Sequence, residues 1–479
     1  MKSPTIILLS IIFYFALLLL VSLAARKRAG ADFYGGNKTH WLLAMIAAMG
    51  APISGITFIS VPGMVVTKGF SYLQMVLGFV VGYFVIAYVL IPLFYRLKLT
   101  SIYGYLEERF GAASHKTGAW FFFVSKMLGA SVRFFVICVV LQSLVFGPLG
   151  IPFALGVVVT VAMIFLYTSL GGVNTVIWTD ALKSFCLVGS VVLCIIFIAK
   201  GLGYNFAGAV SAVVSDPSSQ IFFFDNPNEA TYFWKQFLGG VFMMIATTGL
   251  DQDLMQRSLH CSSPKESQKS LIASAFTLLG VISLFLILGV LLKQYFIAGI
   301  SDGSDIVSQL GSTDNLFGRV VSSEGMPVVL LVFFTVGLVA AAYSAAGSAL
   351  TALTTSFSLD ILGRPADKSV KAVHALMAVC MGVVIFVFNA LNSQDAISAV
   401  YTLASYTYGP ILGMFAFGIF CKAPVRDRLV PLAAIAAPVL SFGIQWALKA
   451  WCGYVIGFEL ILLNAALTAA GLCLLIKKK

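Results

Sequence analysis

Apolar segments of membrane-spanning length follow one another from end to end of this 479-residue chain, with no room between them for a soluble domain of ordinary size. A helix crosses the hydrocarbon core of a bilayer with about 20 apolar residues. Thirteen such runs are read: roughly 4–25, 41–66, 70–95, 118–146, 151–169, 175–199, 234–256, 270–297, 328–359, 371–391, 397–420, 429–450 and 455–475. At 60% hydrophobic and 10% charged residues, the chain has more apolar surface than a soluble fold can bury. The expected class is an all-α polytopic membrane protein of about thirteen transmembrane helices. The first run lacks a basic head and a small-residue cleavage site, so it reads as a retained helix and not as a signal peptide.

The net charge of +11 is an orientation signal. With the N-terminus outside, twenty of the 30 Lys and Arg residues fall on inner connections and seven at or near the outer face. This positive-inside bias predicts a multi-pass protein of the plasma (inner) membrane, N-terminus outside and C-terminus cytoplasmic. The acidic outer loop 298–327 reads as a solvated connection. Eight cysteines without CxxC spacing, and four histidines at inner ends or loops that read as interfacial residues, support neither a disulfide framework nor a zinc site. No catalytic constellation is present, so neither an enzyme nor an organic cofactor is expected. The expected partners are a small-molecule solute and the lipid bilayer, with no nucleic acid and no obligate protein partner.

Within the second run, the stretch Gly50-Ala51-Pro52-Ile53-Ser54-Gly55 breaks the helical pattern. Pro52 removes a backbone donor and the flanking glycines lower the cost of unwinding. Bare backbone cannot face lipid, so the break lines a protein-walled polar site or is satisfied by a neighbouring helix. Five runs later, Thr247-Thr248-Gly249-Leu250-Asp251-Gln252-Asp253 reads as a second interruption. Matching interruptions in two halves of opposite orientation point to an inverted-repeat transporter with its site between them. The ten runs from 41–66 to 397–420 are then core helices 1 to 10 in a 5+5 arrangement. The division is 1–40 for a peripheral helix and loop, 41–199 and 200–420 for the repeats, and 421–479 for two peripheral helices.

Charges inside the membrane are costly and need a partner or a cavity. Core helix 3 carries Lys126 and Arg133, seven residues apart on nearly one face. Arg133, the deeper, is either a solute contact or half of an ion pair. In core helix 5, Asp180 is a candidate for cation handling or pairs with Lys183 one turn on. Core helix 8 lines up Ala340, Ser344 and Ser348 on a stripe that serves either close packing or oxygen ligation. Core helix 10 opens with a polar, aromatic stretch around Tyr406 that reads as a gate or as an interfacial belt.

Several runs resemble the sodium/solute symporter family of sodium–glucose, sodium–proline and sodium–sialic acid symporters. They are ADFYGG (31–36), GAPISGITFISVPG (50–63), LKLTSIYGYLEERFG (97–111), YTSLGGVNTVIWTDALK (167–183), DQDLMQRSL (251–259) and AAAYSAAGSALT (340–351). The resemblance covers nearly the whole chain and implies the leucine-transporter fold. It implies a main sodium site from the carbonyls of Gly50, Ile53 and Ala341 with the Ser344 hydroxyl, and a second cation site, found in some relatives, at Asp180, Ser344 and Ser348. It also implies solute contacts at Ser54, Thr57, Tyr72, Gln74, Arg133, Asp251, Gln252, Asp253 and Tyr406. The chain departs from the pattern twice. Ala345 stands where the family usually has a second hydroxyl, and Gly347 where relatives with the second cation site often carry a polar residue. Sugar-transporting relatives carry Asn-Gln-Tyr where this chain has Asp251-Gln252-Asp253, so glucose is not the expected cargo.

The expected function is a secondary active transporter coupling inward sodium flow, with sodium as the coupling ion, to uptake of a small polar solute. A sugar or an acidic sugar such as sialic acid fits. Arg133 favours an anion and the two aspartates an amine or polyol, and the sequence leaves that choice open. The rivals are a proton-coupled or uncoupled carrier of the same fold, with Asp180, Asp251 or Asp253 titrating, and a solute sensor that no longer transports.

Overall fold

A computed structural model describes residues 4–29, 40–50, 53, 55–97, 101–169, 172–259, 261–299, 306–363, 369–391 and 396–477. Helices cover the predicted spans, and nine of those among the described residues are long and apolar enough to cross a membrane. Their ends are set by local chemistry. Core helix 7 (Pro264–Ala298) starts with proline in its first turn, and the Ser263 hydroxyl accepts a hydrogen bond from the Glu266 N–H at 3.3 Å. Core helix 3 (Ala112–Leu141) borrows its cap from a distant loop. The Asp427 carboxylate accepts from the N–H groups of Ala113 and Ser114, both at 2.9 Å.

Both predicted interruptions are present. Core helix 1 runs Trp41–Gly50 and resumes as Gly55–Lys68, with Ile53 non-helical between them. Pro52 and the predicted solute contact Ser54 lie outside the described residues. Core helix 6 (Phe233–Met244) widens into a π turn at Ile245–Gly249 and leaves helical geometry at Leu250 (φ −112°, ψ 15°). It restarts as Gln252–Leu259.

Freed backbone groups at such a break need partners. The Leu250 carbonyl accepts from the Tyr103 hydroxyl at 2.9 Å, and the Gln252 side chain accepts from the Ile102 N–H at 2.8 Å. The segment leading into the short helix Gly104–Arg109 is thereby fastened to the second break.

Small residues let the core close. A Cβ on Gly78 of core helix 2 (Tyr72–Val85, continuing to Leu97) would lie 2.2 Å from the Phe237 carbonyl oxygen. One on Gly240 of core helix 6 would lie 2.2 Å from that of Met75. Core helices 2 and 6 therefore touch backbone to backbone. Core helix 8 (Val328–Ser356) packs on core helices 3 and 5 (Gly172–Gly201) and on both halves of core helix 1. The last helix, Leu460–Leu474, lies against core helix 10 (Ala396–Phe420).

Two expectations are corrected. The described part of the loop 298–327 is more than a solvated connection. Its helix Asn315–Ser322 buries Leu316, Phe317, Val320 and Val321, and Phe317 stacks on Phe58 of core helix 1 with ring centroids 5.4 Å apart. The spacing Leu-Phe-x-x-Val-Val is an amphipathic helical face that the acidic residues around it concealed. His374 is not interfacial but buried, bonded to the hydroxyls of Thr168 and Thr354 at 2.8 Å each.

Candidate functional site

A cavity of about 90 Å³ lies where the two breaks meet the bundle. Core helix 1 contributes Thr57, in the first turn after its break, and core helix 6 contributes Thr247, Thr248, Asp251 and Asp253 from its own. Ser125, Lys126, Gly129, Ala130 and Arg133 come from core helix 3, and their spacing puts them on one helical face. Tyr72 of core helix 2, Ala345 and Ser348 of core helix 8, and Tyr401 and Tyr408 of core helix 10 complete the polar wall.

Asp251 is a hub. Placed just before the helix Gln252–Leu259, its carboxylate accepts from the N–H groups of Asp253 at 2.9 Å and Leu254 at 3.3 Å, which caps the helix and complements its dipole. The Lys126 ammonium donates to both Asp251 oxygens, at 3.1 and 3.0 Å, and the Tyr408 hydroxyl to one of them at 2.6 Å. Lys126 also lies 3.0 Å from Oδ2 of Asp253. Core helices 3, 6 and 10 are thus joined by one charge-assisted cluster. Both aspartates border the cavity, and the two carboxylates share one lysine.

Arg133 is the opposite case. It stands on the cavity wall with Tyr72, Tyr401 and Tyr408, and it makes no hydrogen bond or ion pair with any described residue. Its side chain carries five N–H donors in a planar fork, and the residue lines the cavity.

The other predicted contacts divide. Thr57 and Tyr72 line the cavity, and the Tyr72 hydroxyl lies 2.7 Å from that of Tyr401, linking core helices 2 and 10. Gln74 does not line it. Its amide donates to the carbonyls of Ser71 and Thr231 at 3.3 and 2.9 Å and accepts from the Phe223 N–H at 3.1 Å, clamping the 220–232 loop. Gln252 is likewise turned away, toward Ile102.

Tyr406 is bonded to Gln445 on the peripheral helix Val430–Cys452, outside the cavity. The residues of core helix 10 that do face the cavity are Val400, Tyr401, Leu403, Ala404 and Tyr408, centred on Tyr401, Ala404 and Tyr408. At 3.6 residues per turn those three share a face and Tyr406 is on the other side, a phase that the sequence carries but a polar stretch taken as a whole does not reveal. Lys126 as the partner of both aspartates had no local signal.

Comparison with known proteins is decisive for the family. The model of the sodium:solute symporter family matches residues 33–426. The chain belongs to the sodium:solute symporter family. Among individual relatives, the symporter is 26% identical to the sodium/sialic acid symporter NanT of Aliivibrio fischeri over 93% of this chain and 89% of that one. It is 25% identical to the sodium/sialic acid symporter SiaT of Proteus mirabilis, over 95% and 93% of the two chains. Its fold matches a solved substrate-bound, outward-open Na+-coupled sialic acid symporter at a TM-score of 0.79, with 22% identity and coverage of 98% and 97%. The chain is a multi-pass secondary transporter that couples sodium to solute uptake, and it is not an enzyme.

The family resemblance sets the expected main sodium site of the symporter at the first break. Gly50 ends a helix whose last carbonyls lack intrahelical partners, and Ile53 and Ala341 are both fully buried. Oxygen ligands of that kind suit a hard cation. The Ser344 side chain lies outside the described residues. The second set is arranged differently: Asp180 is bonded to Lys183 at 3.1 Å, and the Ser348 hydroxyl donates to the Ala345 carbonyl at 3.3 Å.

Proposed function

We propose that this symporter takes up a small carboxylate-bearing solute, of which an acidic sugar such as sialic acid is the leading case, on the sodium gradient. The observation that carries the reading is Arg133. It is a cation on the cavity wall with no hydrogen-bonded or ion-pair partner among the described residues, while the neighbouring Asp251 and Asp253 share the single positive charge of Lys126. The amine or polyol alternative is the weaker one because both aspartates contact Lys126, although one ammonium balances only one of the two carboxylates. A guanidinium meets a carboxylate through two parallel hydrogen bonds, which fixes orientation as well as charge. Tyr72, Tyr401 and Thr247 then offer hydroxyls to the polar body of the solute. Sialic acids, the named cargo of the relatives above, carry such a carboxylate.

In this reading sodium binds at the first break, through the carbonyls of Gly50, Ile53 and Ala341 and the Ser344 hydroxyl. Its presence holds the arrangement that accepts solute, and linkage makes the coupling reciprocal. The repeats 41–199 and 200–420 move against each other around the site. The positive-inside pattern sets the N-terminus outside and the C-terminus in the cytoplasm of a plasma (inner) membrane protein. Each net positive charge carried inward across 100 mV contributes about 2.3 kcal/mol.

Proteoliposomes loaded with potassium and given radiolabelled N-acetylneuraminic acid test the reading. Uptake should require an inward sodium gradient, fall sharply in Arg133→Gln, and be competed by small carboxylates but not by neutral hexoses. Equal uptake without sodium rejects the coupling, and equal competition by neutral sugars rejects the carboxylate assignment.

A further inference from the structure

Asp180 does not offer an open coordination shell. One of its carboxylate oxygens accepts a hydrogen bond from the Lys183 ammonium at 3.1 Å. The same ammonium donates to the Tyr343 carbonyl at 3.2 Å and to the Tyr167 hydroxyl at 3.3 Å, and it lies 4.7 Å from the centre of the Tyr167 ring. Each of its three protons has an oxygen acceptor. The side chains of Lys183 and Asp180 are 1% and 0% exposed.

We infer that Lys183 is the resident cation of this site, a tethered ammonium standing where a second sodium would bind, so that the symporter couples to a single sodium. A carboxylate, a carbonyl and a hydroxyl form the oxygen set that a hard cation takes. Here that set is already occupied by a full positive charge, and in a low-dielectric interior a sodium beside it is strongly repelled.

A second, independent feature agrees. A Cβ placed on Gly347 would lie 1.7 Å from the Tyr167 hydroxyl oxygen. Any side chain at 347 would displace that hydroxyl, which donates to the Tyr343 carbonyl at 2.6 Å and receives the ammonium proton. Gly347, Tyr167 and Lys183 are therefore a matched set: the glycine leaves room for the ring that orients the lysine.

The inference rests on the sodium-coupled reading and deepens it by fixing the stoichiometry. Equilibrium binding of radioactive 22Na+ to the purified full-length protein, with choline holding ionic strength constant, tests it without any solute. The wild type should saturate at one sodium per chain and Lys183→Gln at two, because the substitution frees the Asp180 carboxylate. A wild type that saturates at two, or a folded Lys183→Gln that still saturates at one, overturns the inference and leaves sodium coupling standing. A wild type that binds none overturns both. Should Lys183→Gln fail to fold, the wild-type count alone decides.

Discussion

Lys183 and Arg133 are both cations within membrane-spanning helices, and the fold treats them in opposite ways. Lys183 is sealed among a carboxylate, a carbonyl and a hydroxyl and does not line the cavity between the breaks. Arg133 stands on a cavity wall without a bonded partner among the described residues. Lys126 shares that wall and is nevertheless held by two carboxylates. Position beside the cavity is therefore not what distinguishes a working charge from a structural one. The distinction lies in whether the protein already supplies the counter-charge. An ion satisfied internally is scaffold, and one left unsatisfied next to open space selects a ligand of opposite sign.

The largest effect should come from the sealed pair. Asp180→Asn leaves a buried ammonium without its carboxylate and should cost about 3–5 kcal/mol of stability, read as a lower unfolding temperature in detergent. Asp180→Asn combined with Lys183→Met should recover most of that loss. A single variant as stable as the wild type would erase the contrast.

Arg133→Gln should do the reverse, leaving thermal stability near wild type while weakening solute binding. The loss of a charged hydrogen-bonding partner is about 1.5–3 kcal/mol, or roughly 10- to 100-fold in affinity by calorimetry. Arg133→Lys should recover only part of it, since the paired geometry is lost.

Tyr408→Phe removes one of several donors to Asp251 and should cost about 1.5 kcal/mol, at the low end for a hydrogen bond to a charged group. Thermal melts of this variant and of Arg133→Gln side by side would sharpen the distinction between cluster and open charge.

The smallest effect belongs to an ion pair between the connection after core helix 5 and the end of core helix 7, Asp216 with Lys293 at 2.7 Å. Burial pushes the Asp216 carboxyl up, but hydrogen bonds from Lys293, the Ser218 N–H and Gln294 outweigh it and hold the group below its ordinary range. Because the folded value is depressed, the stabilisation is complete above the ordinary carboxylate range and fades as pH falls below it. Melts of the wild type and Asp216→Asn should therefore differ at neutral pH and converge in acid.

Much of the architecture was legible because the membrane permits few solutions. Length and hydropathy marked the spans, and glycine with clustered polar residues marked both ruptures. Arg133 and Asp180 stood out as expensive residues in apolar runs. What stayed hidden depended on partners far away in the chain. Nothing near Lys126 announces Asp251, which lies 125 residues further on. Gln74 and Gln252 look like solute ligands until loops 220–232 and 101–104 are seen to claim their amides. Tyr406, a contact implied by the family resemblance, lies off the cavity for a different reason: its helical phase puts it on the face toward Gln445.

The attachment of Tyr103 and Ile102 to the second rupture has a mechanical consequence. The helix Gln252–Leu259 is tied through Tyr103 and Ile102 to the segment that feeds core helix 3, and through Lys126 to core helix 3 itself. A pivot of that half-helix alone would break these bonds. A swing that keeps them carries the connecting loop and its neighbour along as one lever, with the widened turn at Ile245–Gly249 as its junction to the rest of core helix 6.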